Sequence, residues 1–148
     1  MKFSKKSRYG LTALVDLAVN SNNGKVALNA IAERNRISPQ YLEQIFAALR
    51  RAGIVKGVKG PSGGYTINAD PSEIRLSDIL VAVDGSYHLD DEVSNGFGES
   101  ENIAEAIQTI VVDRVNGNLD ELLMNITLKD LIDEYRNKSS IGQEMYYI

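Results

Sequence analysis

No cysteine occurs anywhere in this chain, which excludes disulfides, thiol-based redox switching and any zinc or iron–sulfur centre held by the chain's own thiolates. Histidine is nearly absent: His88 is the only one, and it stands beside Asp90, Asp91 and Glu92. A lone imidazole in an acidic loop is ordinarily a solvated group and not a metal ligand, so no metal and no other cofactor is expected. Long apolar runs are missing as well. No segment approaches the roughly 18 apolar residues of a membrane span, and the stretch 10–19, which follows a basic start, is broken by Asp16, unlike the core of a secretory leader. A soluble, cytoplasmic protein is expected. An enzyme is not. Besides the scarcity of His and Cys, the glycine cluster at 57–64 lies between two β-prone runs, where a hairpin tip is a better account than a phosphate-binding loop in front of a helix.

What is present is a chain of 148 residues, 43% apolar and 24% charged, enough for one compact domain or for a small domain with a helical extension. The net charge of −4 conceals a segregation. Residues 1–65 hold eleven Lys and Arg against Asp16, Glu33 and Glu43, a net +8, which leaves the remainder at −12. Clustered cations neutralise phosphates and release counterions, so a polyanion-binding half joined to an acidic half is the electrostatic reading.

Apolar periodicity places the elements. Leu11, Leu14, Val15 and Ala18 recur at helical spacing, predicting an amphipathic helix from Ser4, a possible cap, to about Asn20. Asn22, Asn23 and Gly24 end it, and a second helix covers about Leu28 to Asn35 with Ile31 and Ala32 inward. Ser38 followed by Pro39 starts a third helix, because the hydroxyl caps a free amide while proline at the first helical position sacrifices no hydrogen bond. Leu42, Ile45, Phe46 and Leu49 form its buried stripe and Gly53 its stop; Gln40, Gln44, Ala47 and Arg51, with Glu43 at the edge, form the opposite face. Two short strands, Ile54 to Lys56 and Tyr65 to Ile67, enclose the Gly-rich tip. The fold class expected is mainly α: a winged helix-turn-helix with a small β-hairpin wing, plus a long C-terminal dimerisation helix.

In the acidic half a short helix is expected from Leu76 to Val83, with Ser77 as a possible cap. From Ser100 onward Ile103, Ile107, Ile110, Val111, Val115, Leu119, Leu122, Leu123 and Ile126 form an apolar band that needs a partner surface, either the first domain or a second copy of the chain. Asn116, Gly117 and Asn118 interrupt it, either as a helix break or as a tolerated glycine. Thr127 and Asp130 have capping-box spacing for a last helix to about Lys138. The division expected is 1–84 for a DNA-binding domain, 85–99 for a flexible loop, and 100–148 for a helical dimerisation region and tail.

The motifs Tyr41-Leu42-Glu43-Gln44, Leu49-Arg50-Arg51-Ala52-Gly53-Ile54-Val55 and Gly60-Pro61-Ser62-Gly63-Gly64-Tyr65, with the opening run at 4–11, resemble the Rrf2 family of bacterial winged-helix regulators. The resemblance is strong over about 1–84 and looser through 126–131. It implies a homodimer on a pseudo-palindromic operator, with the third helix in the major groove and the wing at the adjacent minor groove. By that resemblance Ser38, Gln40, Tyr41, Glu43 and Gln44 belong to the recognition helix, and Lys59, Gly60, Ser62 and Gly63 to the wing. The chemistry agrees: Gln can pair with adenine, Glu can accept from cytosine, and Lys5, Lys6, Arg8, Arg50 and Arg51 can hold phosphates. Two alternatives stay open. Glu43 could instead pair with Arg50 or Arg51, and Tyr41 could pack its ring on the scaffold and reach a phosphate only with its hydroxyl.

Cluster-bearing members carry three cysteines in the loop equivalent to about 87–101, and this chain has none. It resembles instead the family's cysteine-free branch, typified by the repressor of cysteine metabolism. That branch implies a repressor of sulfur or cysteine-metabolism genes, and cysteine synthase as a partner that could receive the C-terminal Tyr146, Tyr147 and Ile148. The alternative function is a protein-interaction adaptor docking on that enzyme through the terminal isoleucine.

Overall fold

A computed structural model describes residues 3–60, 63–94 and 96–146, the side chains of Asn23 and of 143–146 excepted. Helix α1 (Lys5–Val19) begins where Ser4 Oγ accepts from the Ser7 amide at 2.9 Å, and the hydroxyls of Ser4 and Ser7 both donate to Asp84. Helix α2 (Leu28–Asn35) and helix α3 (Pro39–Arg51) follow. Between them Arg36 takes a left-handed φ of 53°, a conformation uncommon for a side-chain-bearing residue; here it makes the tight turn. Ser38 caps α3, accepting from the Tyr41 amide at 3.4 Å.

Strands β1 (Val55–Val58) and β2 (Gly64–Ile67) pair antiparallel, with Val55 opposite Ile67 and Val58 opposite Gly64. The first strand starts one residue later than the apolar run suggests, because the Ile54 amide is already committed to Leu49 O at 3.0 Å. Val26 adds a third rung on the far side of β2: its amide donates to Tyr65 O at 3.0 Å and its carbonyl accepts from Tyr65 N at 2.9 Å.

Helix α4 (Leu76–Asp84) is not capped by Ser77. Its N-cap is Arg75, which makes no side-chain cap, and Ser77 is buried inside the first turn. After a loop, α5 (Gly98–Ile107) runs through a π-helical turn (Gln108–Val112) into α6 (Asp113–Asn125) without a break. Gly117 is therefore a tolerated glycine. Thr127 and Asp130 close the expected reciprocal cap, at 2.9 and 3.2 Å, and helix α7 (Leu128–Tyr146) continues past the expected end near Lys138.

One core holds these parts together. Leu14, Leu17, Ile31, Leu42, Ile45, Phe46, Leu49, Val55 and Ile79 are fully buried, and so is Leu128 from α7, with Ile132 beside it. Burying each such aliphatic or aromatic side chain contributes about 1.5–3 kcal/mol. The return of α7 is fixed by main-chain bonds, Leu76 N to Ile126 O and Leu128 N to Ile74 O, both 2.8 Å. Among the described residues no helix is long and apolar enough to cross a membrane.

Candidate nucleic-acid interface

The stripe that buries Leu42, Ile45, Phe46 and Leu49 turns the other side of α3 outward. Ser38, Gln40, Glu43, Gln44, Arg50 and Arg51 are all exposed, and Ala47 between them is small and half-buried. Glu43 makes no ion pair with Arg50 or Arg51 among the described residues. Tyr41 is half-buried: it packs against the core, and its ring stands edge-on to Tyr9, centroids 5.8 Å apart at 83°. Lys5 Nζ lies 5.5 Å above the Tyr9 ring, a cation–π spacing. The chain Lys5, Tyr9, Tyr41 thus sets the start of α1 beside the start of α3. Tyr9 escaped the sequence reading because an aromatic at that spacing reads as core.

At the other end of α3, Arg50 meets the wing. With Lys56 and Lys59 it surrounds a hollow of about 530 Å³, floored by Val55 and Tyr65. Lys56, not singled out from the sequence, points outward from β1 and its signal was the alternation of the strand. None of Lys5, Lys6, Arg8, Arg50, Arg51, Lys56 and Lys59 forms an ion pair among the described residues. Lys6 is half-buried and Arg8 exposed on α1. Gly60 has φ +124° at the tip and its carbonyl accepts from Gly63 N at 2.9 Å. Gly64 is glycine for an internal reason: a Cβ there would lie 2.5 Å from Val26 O. Ser62, the side chain of Tyr146, and Tyr147 and Ile148 lie outside the described residues.

The helix-turn-helix is braced from behind. Asp16, nearly buried in α1, accepts from Arg34 Nε at 3.0 Å and Nη2 at 2.6 Å, and from Asn35 Nδ2 at 2.8 Å. Burial pushes its carboxyl up, but the bonds from Arg34 and Asn35 outweigh that and hold it below the usual carboxylate range.

A second polar cluster ties the 86–92 loop to the long helix. Tyr87 and His88 both donate to Asp120, His88 Nε2 at 2.7 Å; Asn116 takes both backbone groups of Leu89, at 2.8 and 3.1 Å; Gln108 accepts from Glu92 N at 2.7 Å. Burial, followed by the Asp120 contact, pushes the Tyr87 phenol up to about 12. Bonds from Tyr87 and then His88 hold the Asp120 carboxyl low.

A family model described as Rrf2, iron-dependent transcriptional regulator, matches residues 3–134. The HTH-type transcriptional regulator IscR of Vibrio campbellii is 37% identical over 134 residues, covering 90% of this chain and 79% of the relative. Among solved structures, CymR, the global cysteine regulator of B. subtilis, superposes with a TM-score of 0.73 at 33% identity, covering 90% of this chain and 98% of that one. IscR of T. potens follows at 0.66 and 36%, covering 91% and 88%. The iron in the family description finds no ligand set here. The chain has no cysteine, among the described residues no three His, Asp or Glu converge as a metal site, and His88 is committed to Asp120. With a winged helix-turn-helix shared along nearly its whole length with these regulators, the chain belongs to the Rrf2 family of transcriptional regulators.

Proposed function

We propose that the protein acts as a homodimeric repressor that binds a pseudo-palindromic duplex without an iron–sulfur cluster. In this reading residues 1–84 contact DNA, 85–99 link, and 100–148 dimerise. Gln40, Glu43 and Gln44 read base edges in the major groove, Tyr41 reaches a phosphate with its hydroxyl, and Arg50, Lys56 and Lys59 hold the backbone where the wing meets the minor groove. The observation that carries it is the outward face of α3, continuous with a hollow ringed by three cations that have no acidic partner among the described residues. Three cations clustered on one hollow, with no carboxylate among them, make a positive surface suited to a phosphate backbone.

Dimerisation is supported by what α5 and α6 leave uncovered. Ile103, Ile110 and Leu122 are 60, 59 and 58% exposed, with Ile107 and Val111 between them. A row of large apolar side chains this exposed is the kind of surface that a partner covers. The likeness to a global cysteine regulator supports genes of sulfur or cysteine metabolism as targets.

Selection of bound duplex from a random pool, followed by titration of the selected and a scrambled duplex at two salt concentrations, tests the reading. The expected result is an inverted-repeat consensus and a specificity ratio that survives added salt. Equal affinity for every duplex, or no binding, rejects it.

A further inference from the structure

Behind the proposed DNA-facing surface lies a hollow of about 560 Å³ between α1, the end of α2 and α7. That volume is typical of small-molecule sites. Val15 and Val19 of α1 and Leu131 and Tyr135 of α7 supply its apolar lining, and Asp16, Asn20, Arg34 and Asn35 its polar lining. Its rim carries Arg34, whose side chain is 42% exposed.

The charges at the rim are unequally used. Asp16 is saturated: Oδ1 accepts from Arg34 and Asn20, and Oδ2 from Arg34 and Asn35. Arg34 is not. A guanidinium has five N–H donors in a rigid fork, and Asp16 engages only the Nε and Nη2 edge; no bond from Nη1 forms among the described residues. Asp16 therefore immobilises the group while leaving Nη1 without a partner among the described residues, on a side chain that lines the same hollow as the apolar residues. Such a donor, already oriented, suits an anion at little ordering cost.

We propose that this hollow is an effector site for a small carboxylate with a short or branched hydrocarbon body, the carboxylate on the outer edge of Arg34 and the hydrocarbon against Val15, Val19 and Leu131. Arg34 and Asn35 are the last residues of α2, and the left-handed Arg36 leads from them into α3. A ligand joining α7 to Arg34 biases the turn that aims α3. That consequence rests on the DNA-binding reading above, whereas the site itself does not.

The test uses the full chain with carbon-13-labelled Leu and Val methyls, titrated with 4-methylpentanoate to about 10 mM, a range that captures weak ligands. Saturable shifts at Val15, Val19 and Leu131 are expected, with 4-methylpentan-1-ol binding at least about tenfold more weakly because it lacks the charge. Arg34→Gln should weaken the acid by about tenfold or more. Because that change also disturbs Asp16, Thr12→Trp serves as a second variant: Thr12 is an exposed residue of the same rim, and the indole should block entry in a folded protein. No saturable shift, equal binding of the alcohol, or undiminished binding in Thr12→Trp overturns the site. Occupancy that leaves duplex affinity unchanged overturns its assignment to an effector. Acid binding by a protein that binds no duplex would support the site while rejecting the proposed function.

Discussion

Replacing Arg50, Lys56 and Lys59 together by glutamine isolates the electrostatic part of binding. The three cations are exposed, ring one hollow between α3 and the hairpin, and hold no acidic partner among the described residues. Folding should hardly notice their loss, and the unfolding free energy from urea titration should stay within about 0.5 kcal/mol of the parent. Binding should respond strongly. Each phosphate neutralised adds about 0.9 to the slope of log K against log salt on duplex DNA, so three cations in each of two protomers account for a slope of about 5. Between about 50 and 200 mM salt that slope is worth roughly a thousandfold in affinity, which the parent should lose and the variant should not. Fluorescence anisotropy on a selected duplex across a salt series reads both slopes directly. Because phosphate contacts carry no sequence information, the ratio of selected to scrambled affinity should remain within about threefold. A folded variant with the parental slope would refute the argument, and a lost sequence preference at constant slope would mean that these side chains read bases.

Three further outcomes follow from the packing and the charges. Gly64→Ala places a methyl 2.5 Å from Val26 O, a main-chain clash expected to cost about 1–3 kcal/mol; an unchanged urea midpoint would show that the third rung yields freely. Ile110→Glu puts a carboxylate in the π-helical turn that carries the exposed apolar band from α5 into α6 and should cost a dimer about 2 kcal/mol or more per protomer. Light scattering should then report monomer, and a variant as dimeric as the parent would place the interface elsewhere. Asp16→Asn tests the brace behind the helix-turn-helix. Its carboxyl is held below the usual range, so its contribution is fully present above the unfolded value of about 3.9 and is lost as pH falls through the folded value. The stability gap between parent and variant should be widest near neutrality and close below about pH 4; a gap independent of pH would refute the pairing.

Much of this molecule was legible along the chain because the relevant signals act within one or two helical turns. The Ser4 and Ser38 caps, the box formed by Thr127 and Asp130, and the inward stripe of α3 each depend on residues three or four apart. The cationic first half was visible by counting. What escaped was non-local. The wing's third rung depends on Val26, whose neighbours say nothing of Tyr65, and the glycine at position 64 makes sense only once that rung approaches it. Ser77 looked like a cap and is instead buried inside the first turn of α4, which begins one residue earlier with Arg75 at the cap position.

The sequence by itself determined where the first three helices form, which face of α3 is apolar, and that no thiolate can ligate a metal. Tertiary structure alone decided that α7 returns to seat Leu128 in the first core, that the helix runs unbroken through Gly117, and that Asp16 saturates itself on Arg34 while leaving one edge of the guanidinium open. Short-range capping and periodicity are properties of consecutive residues, whereas those three depend on which surfaces bury the most apolar area against each other, and that is settled only when the whole chain is packed.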